Sequence, residues 1–208
     1  MRNGLQKIKK RFGEIIAIIF ALSGLILFFG NRKWFPDFYN PKFMAVMAFI
    51  SAFLIILPCL IFKAKNDFKK QQLLNFTQLS LIIILTLSGL GGLGLFKIYK
   101  TGFEYDKLLH FFVPFISMIV ISRFGLQWYE WSFKKSVVLA VILVLIGGIV
   151  WELFEFAMDY FFKTQMLGQY GESIIKDTVW DCISNILGII SGTVVSIKLG
   201  RPLKRHDS

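Results

Sequence analysis

Long runs of uncharged, apolar residues constrain this chain more than any other feature of its sequence. The stretch from Ser136 to Trp151, for example, has no charged side chain. A helix of about 20 mostly apolar residues crosses the ~30 Å hydrocarbon core of a bilayer. The sequence therefore predicts an all-α polytopic integral membrane protein, a bundle of about six transmembrane helices. We place these spans in one transmembrane domain over residues 1–208, at 13–30, 43–62, 78–96, 107–123, 136–161 and 179–197.

The composition agrees with a membrane protein and disfavours a nucleic-acid-binding one. Of the 208 residues, 55% are hydrophobic and only 18% are charged, whereas about 25% of the residues of a typical soluble domain are charged. The formal net charge is +11, but it comes from loops and tails beside apolar spans. We therefore interpret it as a topology signal and expect no nucleic-acid partner.

The distribution of lysine and arginine predicts how the chain is oriented. Cytoplasmic loops of membrane proteins carry an excess of these residues. The two tails, the second loop and the fourth loop together carry 16 of them, and the three remaining loops carry 8. Both termini are therefore predicted to be cytoplasmic.

Each of the last three predicted spans has a polar stripe on one face, because its polar residues recur at intervals of three or four positions. The stripes are Asp106 and His110 in the fourth span, Glu152, Glu155 and Asp159 in the fifth, and Asp177, Asp181 and Asn185 in the sixth. In the predicted topology, all three stripes lie at the extracytoplasmic ends of their spans. Since an acid that faces lipid is costly, we expect the three faces to meet around a shared pocket.

The predicted pocket contains up to six carboxyl groups, one imidazole and one amide, with Lys107 nearby. These carboxyl groups cannot all stay ionised at close range without a counter-charge. Either some of them are protonated, or one divalent cation lies among them. Imidazole with carboxylates suits Zn²⁺ or Mn²⁺, and carboxylates with an amide suit Mg²⁺ or Ca²⁺. The spacing matches no named metal motif.

Ordinary structural roles would also explain the individual residues. The acids of the fifth span could face the outer headgroups at the end of a long helix. Asp177 could cap the last helix at its positive end, and Asn185 could hydrogen-bond to another helix. The set carries more weight than any single residue, because the stripes of three separate helices lie at the same predicted membrane depth.

Two functions are compatible with this pocket, and we favour the first because no nucleophile–base pair is present. The first is a non-catalytic, envelope-associated role in which the pocket binds a cation or a lipid headgroup. The second is a membrane-embedded metal-dependent hydrolase or transferase that acts on a lipid-linked or envelope substrate. Its metal ligands would be His110, Glu152, Asp159 and Asp181. Its general base would be Glu155 or Asp177, with Lys107 meeting a phosphate. An ion pathway is a weaker alternative, because the acids stop near one membrane face.

Three sequence segments carry a resemblance to known bacterial membrane proteins. They are "YDKLLHF" at 105–111, "WELFEF" at 151–156 and "DTVWDCISNILGIISG" at 177–192. Through them, residues of about 100–197 resemble the YjdF-like inner-membrane proteins and, more distantly, the VanZ-like proteins, which usually have Glu-x-x-Gln at the Glu152 segment. The resemblance implies the bacterial inner membrane but no established activity; VanZ-like proteins are associated with reduced sensitivity to glycopeptide antibiotics. Residue by residue, it marks Asp106, Lys107, His110, Glu152, Glu155, Asp177, Asp181, Asn185 and Gly188.

Overall fold

Six long α-helices form most of the structure, a computed structural model that describes residues 2–36, 38, 40–64, 67–162, 166 and 173–200. The helices are α1 (Arg2–Phe29), α2 (Pro41–Ile61), α3 (Phe68–Gly92), α4 (Tyr105–Gln127), α5 (Phe133–Phe162) and α6 (Ile174–Gly200), with 3₁₀ segments at Arg32–Trp34 and Leu95–Thr101. No strand occurs among the residues described, and all six helices are long and apolar enough to cross a membrane. The prediction of an all-α protein with six spans is therefore confirmed.

The third helix, predicted over 78–96, differs from its predicted span at both ends. It begins at Phe68, because the Asp67 side chain accepts hydrogen bonds from the backbone N–H groups of Lys69 and Lys70, at 2.9 and 3.1 Å. Such a cap lets a helix start in polar sequence, outside the apolar run that hydropathy detects. The helix also ends earlier than predicted, at Gly92, and residues 95–96 belong to the 3₁₀ segment.

Packing divides the chain into two compact units, residues 1–109 and 110–208, and the single-domain interpretation stays a prediction. In the first unit, α1 packs against α2 and α3. Its buried core contains Ala17, Ala52, Ile55 and Ile82. A buried polar side chain, Gln78, donates a hydrogen bond to the backbone oxygen of Ile55 at 3.1 Å. The amide thus has the interhelical partner that buried polar groups in a membrane need.

The second unit contains most of α4 and all of α5 and α6. Its buried core is formed by Met118, Ala140, Val144 and Ile189. Two glycines allow α6 to approach α4 closely. A Cβ added at Gly188 would meet the backbone oxygen of Phe111, and one added at Gly192 would lie 2.7 Å from that of Phe115. Small residues at a helix interface permit this approach of two backbones.

Helix α5 is longer than a bilayer requires. Its 30 residues measure about 45 Å at ~1.5 Å per residue, against ~30 Å of hydrocarbon. The excess was predicted from the long fifth span. It lets one end of α5 extend past the apolar core of the membrane.

Candidate functional site

The side chain of His110 lies between carboxylates from two other helices of the second unit. Its Nδ1 is 3.6 Å from Oε1 of Glu152 on α5, and its Nε2 is 3.6 Å from Oδ1 of Asp181 on α6. The side chains of His110 and Asp181 are 5% and 2% exposed, and both carboxylate oxygens of Glu152 are buried. The three helices therefore bring together one imidazole and two carboxylates out of contact with solvent.

Glu155 adds a third carboxylate to this group. It follows Glu152 by three residues on α5, so the two side chains share one helical face. Its Oε1 accepts a hydrogen bond from the indole Nε1 of Trp151 at 2.9 Å. His110, Glu152 and Glu155 each offer one ligand atom, and these atoms all lie within 4.8 Å of one another. We refer to His110, Glu152, Glu155 and Asp181 as the histidine–carboxylate cluster.

The cluster contains more carboxyl groups than basic groups. Three carboxylates surround one imidazole, so their charges exceed that of the imidazole even when His110 is protonated. Ionised carboxyl groups that are buried close together repel each other. Protonation of carboxyl groups or binding of a cation would each lower this repulsion, as the sequence analysis anticipated.

The spacing between His110 and Glu152 is compatible with two ligands of one metal ion. A separation of 3.6 Å between His110 and Glu152 exceeds the usual length of a hydrogen bond, which is ~2.7–3.2 Å. Two ligands at ~2.1 Å from a tetrahedral metal ion lie about 3.4 Å from each other. The observed distance between His110 and Glu152 is therefore close to the distance between two ligands of one metal ion.

The other predicted pocket residues have different surroundings. Asp159 is half-buried, and its Oδ1 accepts a hydrogen bond from the backbone N–H of Met166 at 2.6 Å. Asp177 is buried on α6, one turn before Asp181. Within the described part of the chain, neither Asp159 nor Asp177 shares a group of potential ligand atoms with His110. Their predicted roles as ligand and general base stay predictions.

Three further residues were predicted to line the pocket. Asn185 faces α5, since a Cβ added at Gly148 would lie 3.5 Å from its Nδ2. Asp106 and Lys107 belong to the first unit, where Lys107 Nζ lies 3.4 Å from Oδ2 of Asp106. This distance shows that Lys107 has a carboxylate partner beside it in the sequence.

Trp151 also belongs to this site, although the polar stripes of the sequence do not include it. Tryptophan is common at membrane interfaces, so its presence there does not by itself indicate a role in a site. The signal in the sequence is its spacing of four residues from Glu155, because side chains at i and i+4 meet on a helix surface. The hydrogen bond between them holds the Glu155 carboxylate in one orientation.

Comparison with known proteins places the whole cluster inside one family match. A family model described as "Predicted membrane protein (DUF2238)" matches residues 15–201. No curated protein and no solved structure matches the chain. The matched range contains all of the predicted pocket residues.

Proposed function

The chain belongs to the DUF2238 family of predicted membrane proteins, and from that premise we propose that it binds one divalent cation at the histidine–carboxylate cluster. The observation that supports this proposal is the group of ligand atoms from His110, Glu152 and Glu155, within 4.8 Å of one another. All three residues lie in the second unit, two of them on a single face of α5. A cation there would offset the negative charge of ionised carboxyl groups in the cluster.

Different carboxylates face the two ring nitrogens of His110, and we propose a different role for each. The two nitrogens point in different directions, so a single ion can take only one of them. Nδ1 faces Glu152 and Nε2 faces Asp181, each at 3.6 Å, and Glu155 shares a group of ligand atoms with Glu152 and His110. We therefore assign the ion to Nδ1 and the two glutamates. Asp181 then orients the imidazole through Nε2, as carboxylates commonly do for metal-bound histidines.

This assignment changes two of the roles that the sequence suggested. Glu155 becomes a ligand rather than a general base, and Asp181 becomes a positioning residue rather than a ligand. Imidazole with carboxylates favours Zn²⁺ or Mn²⁺ over Mg²⁺, which prefers oxygen ligands alone. The cation that we expect is accordingly Zn²⁺ or Mn²⁺.

The metal content of detergent-purified protein tests this proposal. After incubation with Zn²⁺ or Mn²⁺ and removal of the excess, we expect elemental analysis to find one ion per chain in the wild type. His110→Ala and Glu152→Gln each remove a ligand. Mutation of a residue that only hydrogen-bonds a ligand typically lowers metal affinity by ~10–100-fold, so these two variants should lose more than that. Asp181→Asn should bind the same number of ions at saturation, but with lower affinity.

The matched control is Glu130→Gln, which removes an exposed acid of the same unit. It should keep the full metal content, because Glu130 lies in the turn between α4 and α5. A wild type that binds neither ion, or a His110→Ala variant that retains it, would refute the proposal.

Trp151→Phe is expected to weaken metal binding while leaving the ligands in place. The substitution removes the indole N–H that donates to Glu155 Oε1, and loss of such a contact typically lowers metal affinity by ~10–100-fold. Titration calorimetry in detergent measures the change. Trp180→Phe is the control, since Trp180 is next to Asp181 in the chain and is exposed, as Trp151 is, so it tests the loss of an indole other than the one that contacts Glu155. Equal affinities for the two variants would contradict the role of Trp151.

A second candidate function is a metal-dependent hydrolase that acts on a lipid-linked substrate. The observation that favours it is the buried carboxyl group of Asp177, one turn from Asp181 on α6. Such a group is suited to accept a proton from an attacking water. Asp177→Asn should then keep the metal but lose turnover of lipids from a bacterial membrane extract, measured by mass spectrometry. A wild type without turnover would leave cation binding as the function.

The cellular setting that we propose is the bacterial inner membrane, in an envelope-associated role. The resemblance to YjdF-like proteins supports this setting and agrees with the family match, while the VanZ-like resemblance is the weaker of the two. A lipid headgroup is the other ligand that the pocket would accept, because its phosphate would meet a bound cation. The orientation, with both termini cytoplasmic, stays a prediction.

A further inference from the structure

The turn between α4 and α5 is a tightly hydrogen-bonded segment at one end of the second unit. The backbone N–H groups of Trp128 and Tyr129 donate to the carbonyl oxygen of Phe124, at 3.0 and 3.3 Å. The N–H of Trp131 donates to Gly125 O at 2.9 Å, and Glu130 has a φ of 54°. Because this turn joins two helices that can each cross a membrane, it lies at a membrane surface.

Aromatic rings stack on each other throughout this turn. Trp128 stacks on Phe124 with ring centroids 5.8 Å apart, and Tyr129 stacks on Trp131 at 4.8 Å. Tyr129 is 50% exposed. Aromatic rings with a polar edge are favoured at the level of the lipid headgroups. The stacking gives these rings a defined position there.

Basic side chains surround the same rings. Lys134 and Lys135 are exposed on the first turn of α5, and Arg123 is half-buried near the end of α4. The acid of the turn is Glu130, so positive charge is in excess by two. Lys135 Nζ lies 4.5 Å from the centroid of the Trp131 ring. The ring contacts one side of the ammonium group, which has three N–H donors in total.

We propose that this basic aromatic turn, formed by Arg123, Trp128, Tyr129, Trp131, Lys134 and Lys135, binds the phosphate of an anionic phospholipid headgroup. Lysines near an anionic membrane surface are attracted to it. Here the Trp131 ring, which stacks on Tyr129, also contacts the ammonium group of Lys135. The turn therefore offers a defined site, in contrast to the diffuse attraction of a basic loop.

Lipid selectivity of the full-length protein in vesicles tests this inference. Spin-labelled phosphatidylglycerol or phosphatidylcholine, added to phosphatidylcholine vesicles that contain the protein, reports how often each lipid contacts it. We expect the wild type to prefer phosphatidylglycerol. Lys134→Gln/Lys135→Gln should lower that preference by about fivefold for each lysine that contacts the phosphate. Trp131→Leu should lower it as well, although it removes no charge.

Two variants separate a defined site from a general effect of charge. Lys69→Gln/Lys70→Gln removes the same charge from the start of α3, in the other unit, and should keep the preference. Lys134→Arg/Lys135→Arg should also keep it, because arginine retains both charges at the turn. The inference is wrong if the two glutamine variants lose the preference equally, if neither loses it, or if the wild type has none.

Discussion

Gly188→Ala is expected to lower the free energy of unfolding by about 1–3 kcal/mol, the usual cost of an extra methyl group in a packed interface. The reason is that the added Cβ would meet the backbone oxygen of Phe111. A side chain can rotate away from such a contact, but a helix backbone cannot, so α6 must move away from α4. Unfolding by a denaturing detergent, followed by circular dichroism, measures the loss.

The same displacement should also reach the histidine–carboxylate cluster. Phe111 follows His110 on α4, and Gly188 is two turns beyond Asp181 on α6. Separating the helices at this point would pull Asp181 away from the imidazole, so metal affinity should fall together with stability.

Gly147→Ala is the matched control for this experiment. A Cβ at Gly147 would have no atom within 4 Å outside its immediate surroundings, and alanine is favoured over glycine in a helix by up to about 1 kcal/mol. We expect this variant to be as stable as the wild type or more stable, with unchanged metal affinity. Equal losses for the two alanine variants would show that the close approach at Gly188 is unimportant.

The second large effect is expected from His110→Ala in the metal-free protein. With the imidazole protonated, removing this partner of the buried carboxylates has a typical cost of about 3–5 kcal/mol. Here the substitution removes the imidazole that lies between Glu152 and Asp181. The free energy of unfolding without metal should therefore fall by an amount in this range, measured by the same detergent titration.

Glu152→Gln should change the metal-free stability much less than His110→Ala. It removes one carboxylate of three, so the repulsion that is relieved offsets the attraction to the imidazole that is lost. Added Zn²⁺ at about 100 times its dissociation constant should stabilise the wild type by about 2.7 kcal/mol. Neither variant should respond to the ion in this way. A His110→Ala variant as stable as the wild type would contradict the charge argument, and a response to Zn²⁺ in either variant would contradict the ligand assignment.

The six helices were predictable from the sequence because the cost of placing charge in hydrocarbon leaves a strong hydropathy signal. The helix ends were less predictable, since they depend on local contacts. At α3, the Asp67 cap extends the helix through polar residues that no apolar window would include. At α5, the observed helix runs from 133 to 162, close to the predicted 136–161, because its charged residues lie near its ends.

The cluster was predictable in part, and helix rotation limits the rest. Each residue turns a helix by about 100°, so spacing shows which side chains share a face but not which neighbour that face meets. His110, Glu152 and Asp181 were expected to meet, and the structure brings them together. Asp159 was grouped with them by spacing, yet it accepts a hydrogen bond from Met166 N in the segment after α5.

If the cluster binds an ion as proposed, the length of α5 makes ion binding depend on membrane thickness. From Lys135 to Glu152 the helix rises by about 26 Å, which is close to the span of the acyl chains. If Lys135 is anchored in one leaflet, the glutamates lie at the border of the opposite one, where water is near. In lipids with longer tails the glutamates would lie deeper in the hydrocarbon, and in lipids with shorter tails they would contact water. The lipid composition would therefore change how readily an ion reaches them.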